Sequence, residues 1–228
     1  MHTASDAYAG RFAGDTGAWM LDRQFELVHA ALRETGASTV LDVGGGHAQL
    51  APRLAAEGFR VTVAVSAEEA LSRLRGAPVE TVVAPLDDLP FESAAFDAVI
   101  CVRLLCHTEG WRGLLAELAR IARRGLVVDY PVRDGWQRAG PLLFSWKRRI
   151  EKTTHPWIQF THVEIEEALA LSEYVVQSRE GQFALPMVLH RILKNAEVSV
   201  RCERACLRWG MMRNQAGPVV ALAVPRSS

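Results

Sequence analysis

Three consecutive glycines, Gly44, Gly45 and Gly46, follow Asp42 in the run VLDVGGGHAQL from Val40 to Leu50. An apolar segment breaks there, and a helical pattern resumes after it. Glycine permits backbone angles that a Cβ forbids and lets a ligand lie against bare main chain, while the first turn of the next helix presents unpaired N–H groups. The chemistry on offer is the cradling of a nucleotide-like cofactor. The same cluster also suits an ordinary tight strand-to-helix turn, so the flanking elements must decide.

Those elements form a βαβ unit. LAPRLAAEG, Leu50 to Gly58, carries apolar residues at helical spacing and ends on a glycine, and FRVTVAVS, Phe59 to Ser66, is rich in β-branched residues. The helix start then lies at the carboxyl edge of a parallel sheet, where such folds bind ligands. SAEEALSRL predicts a further helix, capped by Ser66 with Glu68 and Glu69 in its first turn. Strands are expected at Val79 to Leu86, Phe96 to Val102, Gly125 to Pro131, Tyr174 to Phe183 and Gly217 to Pro225. Helices are expected at Trp19 to Gly36, Trp111 to Ala122, Leu142 to Lys152, Val163 to Glu173, Ala184 to Lys194 and Ala196 to Trp209. This alternation implies an α/β, Rossmann-like doubly wound sheet with helices on both faces. Residues 132–163 read as an insertion after the fifth strand, a lid or substrate wall. Its Trp136, Trp146 and Trp157 suit core anchors equally well.

Length and composition fit one enzyme-sized domain over residues 1–228, with 1–38 as an N-terminal helical cap. The chain has 49% hydrophobic and 23% charged residues, enough to bury a substantial core. Lys plus Arg and Asp plus Glu each number 26, so there is no global basic bias toward nucleic acid or anionic membrane, and a small-molecule partner is expected. Local clusters at Arg123 and Arg124, at Lys147 to Arg149, and at Arg201, Arg204 and Arg208 read as solvated helix faces. Cys101, Cys106, Cys202 and Cys206 form no C-x-x-C pair, and the start MHTASDAYAGRF lacks signal-peptide regions, which together point to reduced thiols in a cytoplasmic protein. Cys202 and Cys206 sit one helical turn apart without a nearby histidine to complete a metal site, so no metal is expected. No apolar stretch reaches the roughly 18 to 20 residues of a membrane-spanning helix. Oligomeric state is not legible in the pattern.

The series VLDVGGGHAQL, VTVAVS, DDLPF, FDAVICV and LVVDYP, over about Val40 to Pro131, resembles the class I S-adenosylmethionine-dependent methyltransferases in order and spacing. DDLPF ahead of FDAVIC is the most specific stretch. The resemblance implies seven strands, the last antiparallel and inserted between the fifth and sixth, with GPVVALAVP supplying it. It also implies S-adenosylmethionine as cofactor, with Gly44, Gly45 and Gly46 against its methionyl end and Asp42 anchoring the loop. Leu86 would pack on adenine, Asp87 would be the nearest carboxylate, and Ser66 would stand near the ribose. Tyr8 and Arg11, in YAGRFAG, belong to a segment that caps the cofactor in related enzymes, where Arg11 would pair with the methionyl carboxylate or remain a surface arginine. Arg103 and His107 follow the fourth strand, where substrate and cofactor faces meet, and are the candidate catalytic pair.

The sequence also departs from that pattern. Ala48 stands where a third glycine is frequent, a mild change. Val65 and Pro85 occupy positions where the family usually places the ribose-binding and adenine-binding acids. One lost hydrogen bond to a charged group costs on the order of 1.5–3 kcal/mol, so either other groups compensate or the chain is a degenerate binding or scaffold protein. A nicotinamide-dependent oxidoreductase fits less well, because the glycine spacing is not G-x-G-x-x-G. With a sulfonium methyl already activated, the expected activity is in-line transfer to a small organic acceptor, governed by positioning. A base would be drawn from His107, His155, His162 or Tyr130 where the nucleophile must lose a proton.

Overall fold

The central strand β1, Thr39–Val43, is buried along all but its first residue, the pattern of a strand covered on both faces. It pairs in parallel with β2, Arg60–Val65, and with β4, Phe96–Cys101. The computed structural model describes residues 12–133, 158–211 and 218–226. Beyond β2 lies β3, Glu80–Val83, and beyond β4 lies β5, Ala122–Pro131, both parallel to their neighbours. The last strand β7, Pro218–Pro225, slots antiparallel between β5 and β6, Tyr174–Gly181. The sheet order is β3-β2-β1-β4-β5-β7-β6, the seven-stranded arrangement expected from the sequence.

Alternation along the strands divides the core in two. Leu41, Val99, Cys101, Leu126 and Val128 face the helices α3, Trp111–Ile121, and α4, His162–Ala170. Val40, Ala98, Ile100 and Val127 face the opposite layer, where Val28 and Leu32 of α1, Gly14–Thr35, and Leu54 of α2, Ala51–Ala56, pack. The helix α1 therefore covers the sheet. Two further helices, α5, Met187–Leu193, and α6, Ala196–Arg208, fill the crossover from β6 to β7 and touch α1.

Two local expectations change. The segment after β2 is a 3-10 helix, Glu68–Leu74, and its cap position is Ala67 without any side-chain cap bond. Ser66 is not a cap. Ala70 packs over the glycine loop, where a Cβ on Gly46 would lie 2.8 Å from the Ala70 Cβ. The capping box of α4 was not anticipated: Glu164 N donates to Thr161 Oγ1 at 3.2 Å, and Thr161 N donates to Glu164 Oε2 at 2.7 Å. The expected helix at Leu142 to Lys152 lies outside the described residues. Around its insertion the two stems meet, because Val132 bridges Phe160 and Arg133 N donates to Phe160 O at 2.8 Å.

At the opposite edge of the sheet, Asp97 ties the start of β1 to β4. Its Oδ2 accepts the amides of Ser38 at 2.9 Å and Thr39 at 3.1 Å, and its Oδ1 accepts from Arg123. Burial alone would raise this carboxyl, but the Arg123 hydrogen bond and the two amides outweigh it and hold it well below the usual carboxylate range. A depressed folded value stabilises the protein fully above the unfolded value near 3.9, and that contribution is lost as pH falls through the folded one. Asp97→Asn is therefore expected to flatten the acid limb of stability below about pH 4. Urea denaturation from pH 2 to 7 checks this, and an unchanged acid limb would refute it.

Candidate active site

The carboxyl edge of the sheet holds the glycine loop. Gly44 stands at φ 82°, and its amide donates to Ala64 O at 2.8 Å, so the β1–β2 ladder extends into the turn. A side chain at 44 would be strained, and its Cβ would come within 2.9 Å of Leu104 Cδ2. At Gly45 a Cβ would overlap the Asp42 carboxylate. The glycines thus serve the packing of the loop itself before any ligand arrives. Asp42 is buried behind them, and desolvation pushes its carboxyl up to about 7.

In front of the loop lies a cavity of about 550 Å³, within the range of small-molecule sites. Gly44, Gly46, Ser66, Leu86 and Asp87 line it, which brings five expected cofactor residues together from three strand ends. Val65 and Pro85, the departures from the acidic pattern, line it as well. Leu104, Thr108, Glu109 and Leu114, from the wall after β4, were not anticipated. Glu109 had no motif to signal it, since an acid just ahead of Trp111 reads as an ordinary first-turn charge. Among the described lining residues two are carboxylates, Asp87 and Glu109, and none is a cation. The walls between them are apolar, through Val65, Ala70, Pro85, Leu86, Leu104 and Leu114.

Arg103 and His107 stand beside this cavity without lining it. Arg103 has φ 59°, and its main-chain N donates to Asp129 Oδ1 at 2.6 Å. Its guanidinium donates to Gln49 Oε1 at 2.9 Å and lies 4.0 Å from the centre of the Phe12 ring. This fixes the arginine between the glycine-loop segment and the start of α1. Asp129 is buried, and desolvation raises its carboxyl although the Arg103 amide and charge, with Gln182 and Gln24, oppose that rise. His107 closes a short 3-10 turn, Leu105–His107, and is half-buried. Of the other base candidates, Tyr130 is fully buried, shares a 3.0 Å hydrogen bond with His162 Nδ1, and has its phenol raised by desolvation. Tyr8, Arg11, Trp136, Trp146, His155 and Trp157 lie outside the described residues.

The four cysteines are free, and no group of three or more metal-ligating side chains occurs among the described residues. Cys101 is buried between the strands that carry Asp42 and Asp129, and desolvation, with those two carboxylates, raises its thiol well above the ordinary value. It is packed core rather than a nucleophile.

Residues 41–128 match the family model described as a methyltransferase domain. No curated protein matches the sequence. Among solved structures, the magnesium protoporphyrin IX methyltransferase of Synechocystis PCC 6803 with bound SAH is similar over 95% of this chain and 92% of its own, at 17% identity and a TM-score of 0.65. The protein complexed with the Trm112 methyltransferase activator of Haloferax volcanii is similar over 98% of this chain and 96% of its own, at 18% identity and a TM-score of 0.64. A SAM-dependent methyltransferase from Methanosarcina mazei aligns over 89% of this chain and 98% of its own, at 16% identity and a TM-score of 0.62. At these identities the likeness is one of fold.

Two expected outcomes follow from the loop. Ala48, where a glycine is frequent, sits at φ 55°, so the replacement is strained rather than mild. Ala48→Gly should stabilise the protein by about 1 kcal/mol once the looser unfolded chain is counted, as read by the urea midpoint, and a fall in that midpoint would refute the strain. Asp42 binds its proton more tightly folded than unfolded, so its contribution to stability is present below about pH 4 and is lost as pH rises toward 7. Asp42→Asn should remove that loss, and a difference between variant and wild type that stays constant from pH 4 to 7 would contradict the assignment.

Proposed function

We propose that this chain, whose residues 41–128 match a methyltransferase domain, is a class I, S-adenosylmethionine-dependent methyltransferase that transfers the cofactor's methyl group to a small organic acceptor by in-line displacement. The observation that carries this reading is the cavity wall: bare glycine backbone on one side, apolar walls for a flat base, and two carboxylates with no cation among the described lining residues. That electrostatic balance suits a cationic sulfonium and opposes the pyrophosphate of a nicotinamide dinucleotide.

The residues fit the cofactor, because Gly44 and Gly46 present bare main chain to the same cavity that Ser66, Leu86 and Asp87 line. Gly44 and Gly46 would hold its methionyl end, Ser66 its ribose, and Leu86 with Asp87 its adenine. When bound, S-adenosylmethionine supplies a methyl group on a positively charged sulfur, already activated toward nucleophiles. The chain then has to orient the acceptor and exclude water. Arg103, clamped by Gln49, Phe12 and Asp129, is assigned to orienting the acceptor. His107, two residues beyond Leu105 on the same turn, is assigned to taking the acceptor's proton where the nucleophile must lose one.

Val65 and Pro85 in the cavity wall favour a second reading, a binding or scaffold protein without catalysis. Calorimetry separates the two. Saturable uptake of S-adenosylmethionine, with none of NAD, is expected. Asp87→Asn combined with Glu109→Gln should weaken that uptake about ten-fold or more, the equivalent of one charged hydrogen bond. His107→Ala should lower kcat while leaving the cofactor Kd unchanged. An absence of heat with folded protein at millimolar cofactor would overturn the enzymatic reading.

A further inference from the structure

The arginine cluster Arg201, Arg204 and Arg208, expected only to be a solvated helix face, has an unusual setting. These residues follow one another at i, i+3 and i+7, and all three are exposed on α6. Lys194, exposed at the sharp turn between α5 and α6 with φ 48°, adds a fourth cation. The acids do not balance them. Glu203 is turned inward, where it accepts from His190 at 3.0 Å and from the amides of Ala184 and Leu185 at 2.8 and 2.9 Å, which leaves Glu197 as the exposed acid of the two helices. A chain with formal net charge of zero thus concentrates positive charge on one helical hairpin.

Apolar side chains frame this charge. Ile192 and Leu193 are 46% and 40% exposed at the turn, Val198 is 39% exposed in the first turn of α6, and Trp209 is 86% exposed just past its end. Val198 and Trp209 are separated by roughly 16 Å along the axis at 1.5 Å per residue, and the arginines fall between them. Hydrogen bonds fasten the two helices of the hairpin. Glu203 links α6 to His190 and to the chain entering α5, and Asn195 caps α6 by accepting from Val198 N at 3.0 Å.

We propose that the α5–α6 hairpin is a docking surface for an anionic lipid bilayer, with its arginines and Lys194 on the headgroup phosphates and Trp209, Ile192 and Leu193 in the interface. A polyanion such as nucleic acid would pair the cations but leave the aliphatic side chains in water. An anionic bilayer takes up both, since aromatic and aliphatic side chains settle at headgroup depth while the cations stay with the phosphates. Such attachment is peripheral and reversible, and no described helix is long and apolar enough to cross a membrane. It requires nothing of the cofactor cavity, so it stands apart from the methyl-transfer reading.

The test is co-sedimentation of the full chain with vesicles of phosphatidylcholine alone and of phosphatidylcholine with 30–40% phosphatidylglycerol, about the anionic share that gives a strong surface potential. Binding is expected only to the anionic vesicles, and is expected to weaken as salt rises. Each arginine replaced among Arg201→Gln, Arg204→Gln and Arg208→Gln should lower the partition coefficient about five-fold. Trp209→Ser should lower it several-fold at unchanged salt dependence, with circular dichroism confirming the fold of each variant. Absence of binding to anionic vesicles, equal binding by the triple variant, or retention on an oligonucleotide but not on vesicles would each overturn the proposal.

Discussion

The contact between the Asp42 carboxylate and the main chain at Gly45 governs the geometry of everything built on this edge of the sheet. A carboxylate at the end of a fully covered strand has lost its water, which is why its proton is held up to about 7. Only a residue without a Cβ can lie across it. The chain must then turn at Gly44, where φ is positive, and pass beneath Ala70 at Gly46. The 3-10 helix Glu68–Leu74 lies over that close approach, and Ser66 is exposed at the cavity rim.

A second buried carboxylate, Asp129, lies two strands away on β5. It accepts the main-chain amide of Arg103, and Arg103 in turn reaches Gln49 on the glycine-loop side and lies over Phe12. The positive φ of Arg103 belongs to this arrangement, since strained backbone persists only where its surroundings over-determine it. Loop, arginine and the entry to α1 are therefore joined by direct contacts.

The crossover from β6 to β7 shows the same economy with buried charge. Glu203 is desolvated, yet the His190 hydrogen bond and two amides pull its carboxyl below the ordinary value, so the helices α5 and α6 are fastened by an ionised group. Trp19 and Phe183 pack around the His190 ring and seal it from solvent. Turning the acid inward is also what leaves the outer face of α6 basic.

Much of this was legible in the sequence, because it depends on local periodicity. The apolar runs TVLDV and FDAVIC, the β-branched RVTVAV and the terminal PVVALAVP each specify a strand by composition, and the glycine triplet marks the turn that only Cβ-free residues can make. Gly44, Gly46, Ser66, Leu86 and Asp87 were named through the family resemblance, and they line one cavity because each follows a strand end and parallel strands place their ends at one edge. What only the tertiary structure decided concerns groups whose roles depend on distant partners. Glu109 enters the cavity wall because α3 docks beside the glycine loop, and Ala48 is strained because of the path that the loop takes over Asp42. Glu203 disappears from the surface because His190, thirteen residues earlier, faces it across a helix pair. Charge counted along a chain carries no sign of which acids fold inward, so a neutral sequence conceals a basic face that packing alone reveals.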